Sequence, residues 1–203
     1  MGVNKKRFYC FNNLGSSDFL SIQNLWGYEK NRLNNVLNSY ILGFKNGFGV
    51  FKSDFSIEYL IRCSIYCFNL VSNKITILFL IPSISHTIYD NNLKELIVFF
   101  SLRSLQPFIF VNKVDCFLKK IALEKSCILL TCVNRYDFFV KDSLSNLIPF
   151  IYVEDVFSKL NKGPYYTVGN NNCIDYAFFW YTFISNSILK SMLLSYCKHL
   201  KPF

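Results

Sequence analysis

The chain has 203 residues, of which 52% are hydrophobic and 18% aromatic, and its 22 Lys+Arg outnumber its 13 Asp+Glu for a net charge of +9. That is enough apolar chain for one packed core in a single domain. The positive surplus runs through both halves, which excludes a charged tail and points to a broad surface facing a polyanion.

The first residues, Met1 to Arg7, are basic but lack the apolar centre of a secretory signal and the long Arg/Ser-rich amphipathic pattern of an import sequence. Position 6 is Lys6, so Gly2 does not start a myristoylation motif. Residues 1–29 read as a divergent N-terminal extension, and 30–203 as one domain.

Residues 40–51 are two apolar runs about Lys45-Asn46-Gly47. Asn-Gly between strand-forming residues predicts a tight hairpin with positive φ. Ser53-Asp54 then supplies a helix cap, and Ile57, Leu60, Ile61, Ser64, Ile65 and Phe68 recur at helical spacing until Asn73-Lys74. Ile75 to Ile81 is a continuous β-branched and apolar run, the mark of a strand buried on both faces.

Leu93, Leu96, Ile97 and Phe100 give one face of a second helix. Residues 108–111 and 127–133 read as strands, 136–146 as an imperfect helix, and 148–153 as a strand opened by Pro149. From 173 to about 194 a helix is apolar around much of its circumference. Strands alternating with helices predict an α/β fold, a mostly parallel sheet with helices on both faces in a Rossmann-like three-layer sandwich.

Few residues of the chain carry a pattern that points to catalytic chemistry. The turn after the 75–81 strand, Pro82 to Thr87, contains no glycine-rich phosphate loop. His86 and His199 are the only histidines, and none of the eight cysteines forms a CxxC pair, so packed reduced thiols are expected and no metal site. Glu154-Asp155 lies where an α/β enzyme would keep carboxylates, but a solvated strand exit, or a pair that orders its own loop, is the simpler account. No uncharged stretch reaches the about 20 apolar residues of a membrane span. An α/β enzyme with a degenerate nucleotide site and a membrane-associated helical protein are the competing readings.

Polyanion binding suits the residues better. Lys5, Lys6, Arg7, Lys30, Arg32, Lys45, Lys52, Lys113, Lys119 and Lys120 would meet phosphates, with Asn46 and Asn112 offering hydrogen bonds. Folded RNA is recognised largely through its shape and backbone.

The 40–52 segment resembles the signature of the uS2 family of small-subunit ribosomal proteins, Tyr-Ile-x-Gly-x-Arg/Lys-Asn-Gly-x-His-x-x-Asp. Tyr40, Ile41, Gly43, Lys45, Asn46 and Gly47 match in register, while Gly49 replaces the histidine and Lys52 the acid. Asn112 and Lys113 resemble a second family segment that otherwise departs. Pro149 and Asp155 resemble a third, and Tyr165, Gly169 and Asn170 a fourth. Tyr40, Gly43, Gly47, Pro149, Asp155, Tyr165, Gly169 and Asn170 are thereby implied as structural positions. The short interval from Leu118 to Cys127 implies that the family's helical-hairpin insertion is absent or much reduced.

The resemblance implies a non-catalytic structural constituent of the small ribosomal subunit, supporting translation at the head–body junction. Its partners would be small-subunit rRNA and neighbouring ribosomal proteins, including lineage-specific mitochondrial ones. No cofactor, small-molecule substrate or stable membrane insertion is implied.

Phe, Tyr, Ile, Asn and Lys share AT-rich codons, and the chain carries 22 Phe and 13 Tyr beside only Ala122 and Ala177. With the missing leader, this bias favours a mitochondrially encoded copy acting in the matrix mitoribosome, with plastid encoding as the alternative. Packing alone is not expected to need so many rings.

Overall fold

The computed structural model describes residues 26–29, 39–82, 88–111, 126–130, 147–154, 165–170 and 173–199. In chain order these form β1 (Trp26–Glu29), β2 (Ile41–Lys45), β3 (Phe48–Phe51), α1 (Ser53–Ser72), β4 (Thr76–Pro82) and α2 (Ile88–Arg103). There follow β5 (Phe108–Val111), β6 (Ser126–Leu130), β7 (Phe150–Glu154), β8 (Tyr165–Val168) and α3 (Ile174–His199).

The strands make two sheets. Five are parallel in the order β5-β4-β6-β7-β8, and three are antiparallel in the order β1-β3-β2. Counted within the parallel sheet alone, the order is 2-1-3-4-5, one of the two common doubly wound arrangements. Every residue of β7 and Ile77 to Ile81 of β4 are buried, as continuous apolar runs in a parallel sheet require.

The three described helices lie side by side on one face of this sheet. α3 stacks Tyr181 on Phe79 of β4, with ring centroids 5.8 Å apart. On one flank it meets α1, where Ser187 Oγ donates to the Ser64 carbonyl at 2.6 Å and Ser191 Oγ to the Phe68 carbonyl at 2.8 Å. The matching offset of these two bonds shows that α1 and α3 run parallel. On the other flank Arg103 of α2 donates to Asn186 of α3 at 3.1 Å. In a chain with two alanines, buried serines serve as the small residues that let helices approach, and they bond backbone carbonyls of their own or the facing helix.

α1 shows how pattern becomes packing. Its buried residues are Ser56, Leu60, Cys63, Ser64, Cys67 and Leu70, a single helical stripe. Lys52, not Ser53, occupies the cap position, and its side chain does not cap. Ser53 is the first helical residue, and its hydroxyl donates to Asp54 Oδ1 at 3.3 Å instead. At the far end Asn73 closes the helix and Lys74 takes φ 60°, which lets the Ile75 N–H reach the Leu70 carbonyl at 3.0 Å and starts β4 at once. α2 ends in the same way, with Leu105 at φ 52°. Gln106 then accepts from the Ile77 N–H at 2.9 Å, fastening the end of α2 to β4.

Among the described residues some of the rings are packing and others are surface: Phe44, Phe48, Phe55, Phe99, Phe178 and Tyr196 are exposed. The largest fully buried side chains include Trp180, Tyr152, Tyr176, Tyr181, Phe51, Phe79, Phe100 and Phe150. Tyr181 alone touches the rings of Phe79, Phe100 and Trp180. Rings fill the space between helices and sheet that Leu and Ala fill in other compositions.

Trp26–Glu29, at the end of the segment read as an extension, pairs antiparallel with β3. Gly27 sits so close to β3 that a Cβ there would lie 3.2 Å from the Gly49 oxygen and 3.2 Å from the Phe51 ring. The expected helix at 136–146, the interval 118–127 and the second helical layer of a three-layer sandwich lie outside the described residues.

Candidate nucleic-acid interface

α1 starts at the carboxyl edge of the parallel sheet, because it runs back along β8 and turns directly into the start of β4. The β2–β3 hairpin that precedes α1 is therefore held at that edge. Its turn is set by Asn46 at φ 52° and Gly47 at φ 83°, the paired positive values of a type I′ hairpin. Lys45 and Asn46 are exposed at the tip.

Three devices fix the base of the hairpin. Phe51 is 1% exposed and inserts into the core, a burial worth roughly 2–3 kcal/mol. The Lys52 N–H donates to the Tyr40 carbonyl at 2.8 Å, and Lys52 Nζ donates to the Ser39 carbonyl at 2.8 Å while lying 5.6 Å from the Phe55 ring centroid. Finally, the Tyr40 and Tyr166 hydroxyls share a hydrogen bond of 3.1 Å, worth about 1 kcal/mol. Buried area thus dominates the anchoring, and the hydroxyl pair sets direction.

Tyr166 is the hub of this base. Its ring stacks on Tyr59 of α1 at 4.8 Å and lies 6.0 Å from Tyr152 of β7, while Tyr59 and Phe55 both approach Tyr40 edge-on. Burial first, then hydrogen bonds with Tyr40 and Tyr59, raises the Tyr166 phenol well above its ordinary value, so it stays a neutral hydroxyl.

The other family-like positions fall into two groups. Tyr165 stacks on Tyr66 with centroids 3.7 Å apart. Gly169 N–H donates to the Glu154 carbonyl at 3.2 Å, and the Asn170 carbonyl receives the Cys173 N–H at 3.3 Å as α3 begins. A Cβ on Gly169 would lie 2.1 Å from the Tyr176 ring, so the glycine makes room for that phenol, whose hydroxyl donates to the Val168 carbonyl at 3.2 Å. Burial raises the Tyr176 phenol and pushes the nearby Cys63 thiol from 9.0 up to about 12, leaving both neutral. Pro149 directly precedes β7. Gly43 differs from the others, because a Cβ there would meet nothing within 4 Å.

The structure brings Lys45, Asn46 and Lys52 onto one hairpin, with Tyr40 and Gly47 as its base and turn. Lys5, Lys6, Arg7, Lys30, Arg32, Asn112, Lys113, Lys119, Lys120 and Asp155 lie outside the described residues. Glu154 is not a solvated strand exit, since it is the last residue of β7 and is 3% exposed. Among the described residues no group of three or more His, Cys, Asp and Glu could hold a metal ion, and no helix is long and apolar enough to cross a membrane.

Sequence reading missed the apolar skin of the hairpin. Leu42 is 73% exposed, Phe44 48% and Phe48 40%. The available signal was their position in a four- and a five-residue strand beside a turn, too short to bury both faces. No family model matches the chain, and no curated protein matches it.

Proposed function

We propose that this protein is a non-catalytic structural constituent of the small ribosomal subunit, of the uS2 type, acting in the matrix of mitochondria at the head–body junction. The observation that carries the reading is the 40–52 hairpin. Six residues in register with the family signature form a rigid basic finger, and it leads straight into a helix packed on a 2-1-3-4-5 parallel sheet. From Ser39 to Ser53 there is no acidic residue, and Lys45 and Lys52 give the hairpin a positive charge suited to rRNA phosphates, with Glu29 of β1 in register with Phe48 beside it. On the helical side, Phe99 of α2 and Phe178 of α3 are more than half exposed on either side of Phe100, and Leu102 lies in the same exposed set. This apolar area suits neighbouring ribosomal proteins. The second helical layer expected of the family would complete the three-layer sandwich.

Sedimentation of the native protein from organelle lysate tests the reading. The chain is expected to migrate with small subunits and to stay with them through a salt wash that strips peripheral factors. A free pool, or a carbonate-resistant membrane fraction, would overturn it.

A further inference from the structure

We propose that the amino edge of the parallel sheet, where the three helices end, docks on an anionic membrane surface, with exposed leucines seated among the lipid headgroups and basic side chains beside the phosphates. α1 and α2 end at Ser72 and Arg103, shortly before β4 and β5 begin, and Leu147 stands just ahead of β7. α3 runs parallel to α1, with Ser187 on the Ser64 carbonyl and Ser191 on that of Phe68, so its last turns reach the same edge.

Leu105 and Leu147 are out of keeping with their backbone. Both hold positive φ, 52° and 57°, on turns that lead into strands. Glycine or asparagine is the ordinary occupant of such a position, as Asn46 is in the hairpin. A leucine there is strained. Packing back on the domain would offset the strain, yet Leu105 is 70% exposed and Leu147 91%. Neither backbone preference nor core packing accounts for two leucines held out to solvent on one edge. Leu193, Leu194 and Tyr196 of α3, all exposed, extend the apolar set.

Charge selects the occupant. Lys74 and Arg103 are exposed at this edge, and Lys190 lies in the last third of α3. From Tyr176 to Phe203 the chain has Lys190, Lys198 and Lys201 and no acid. Among the described residues, the helical acids Asp54, Glu58, Asp90, Glu95 and Asp175 fall in the first halves of their helices and Glu154 ends β7, so all stand away from this edge. Glu29 belongs to the other sheet. A second copy would therefore set like charge against like, and leucine offers no ring to stack on a base of RNA. Aliphatic side chains raised on separate turns, with a tyrosine and basic groups beside them, match the headgroup boundary of an anionic bilayer. The contact lies on the bilayer and needs no spanning helix.

The test mixes the purified full chain with vesicles of phosphatidylcholine alone or with about one-third phosphatidylglycerol, each carrying a trace of lipid with a photoactivatable acyl chain. Flotation is expected to raise the chain with the anionic vesicles only, and less of it as salt is added. Irradiation is expected to place lipid on the tryptic peptides 104–113, 142–159 and 191–198, which hold Leu105, Leu147 and the α3 leucines. Leu105→Asn and Leu147→Asn should each weaken binding about 10-fold, and Lys74→Gln about 5-fold. Asparagine tolerates positive φ, so the two leucine variants should unfold at an unchanged or higher urea concentration, which separates lost binding from lost fold.

No flotation, equal flotation with both vesicles, label confined to other peptides, or full binding by the double leucine variant would overturn the proposal. So would a photoactivatable group at position 147 that captures RNA or another protein, rather than lipid, in organelle lysate. The lipid label is read on the wild-type chain, so it stands even where a variant fails to fold. The ribosomal reading is separate. A chain that sediments with small subunits and ignores vesicles removes this surface alone, and vesicle binding by a chain absent from subunits does the reverse. Carbonate strips a peripheral contact of this kind, which keeps it distinct from a carbonate-resistant fraction.

Discussion

A Cβ on Gly169 would fall 2.1 Å from Tyr176 Cζ and 2.4 Å from its hydroxyl, distances no pair of nonbonded atoms tolerates. Tyr176 cannot swing aside, because it is 2% exposed and its hydroxyl is bonded to the Val168 carbonyl. Gly169→Ala should therefore destabilise the fold by roughly 2–3 kcal/mol. In urea unfolding, the double variant with Tyr176→Ala should show much less than the sum of the two single costs, since Tyr176→Ala removes the ring that the added Cβ would strike. Gly43→Ala, with open space around it, is the control that should cost little. At this scale the resemblance singled out Gly43 and Gly169 alike, and only packing separates them. The hydroxyl pair of Tyr40 and Tyr166, 126 residues apart, was illegible for the same reason.

Among the elements, those with strong patterns were legible. The 75–81 apolar run became β4, the Asn-Gly turn became the β2–β3 hairpin, and the spacing from Ile57 to Phe68 became α1. β1 and β8 were not foreseen, since four residues such as Trp26–Glu29 or Tyr165–Val168 carry too little periodicity to separate a strand from a loop. The cap was misplaced by one residue. Lys52 ends the hairpin and begins the helix at once, and tertiary contacts of Phe51 and Lys52 fix the boundary more firmly than the local preference of Ser53. The end of α1 yields a prediction of the same kind. Lys74 holds φ 60°, a conformation that costs a side-chain-bearing residue about 1 kcal/mol and glycine almost nothing. Lys74 is exposed, so Lys74→Gly should raise the urea midpoint by an amount corresponding to roughly 0.5–1 kcal/mol, the gain being offset in part by the freer unfolded chain. Lys74→Val, which resists positive φ, should lower it.

For the whole molecule, the alternation of strand and helix patterns pointed to an α/β domain, and the described residues form one with three helices, a five-stranded parallel sheet and a three-stranded antiparallel sheet. Among the described residues, aromatic side chains such as Phe79, Phe100 and Tyr181 pack between helices and sheet, and others stay exposed on the hairpin (Phe44, Phe48), on α1 (Phe55), on α2 (Phe99) and on α3 (Phe178, Tyr196). A protein embedded among RNA and other chains can leave such surface uncovered in isolation because its partners cover it in the assembly. The net charge of +9 works in the same direction, making association with a polyanion favourable before any particular contact forms. On the proposed function this α/β domain is built into the small subunit with its basic finger against rRNA, and electron cryomicroscopy of mitochondrial small subunits from the organism that encodes the chain decides it. The expected map shows a five-stranded parallel sheet in the order β5-β4-β6-β7-β8 at the head–body junction, its side chains fitting this sequence and its β2–β3 finger touching RNA. A map in which that position is filled by another chain, or in which this chain is present with the finger in solvent, would contradict it.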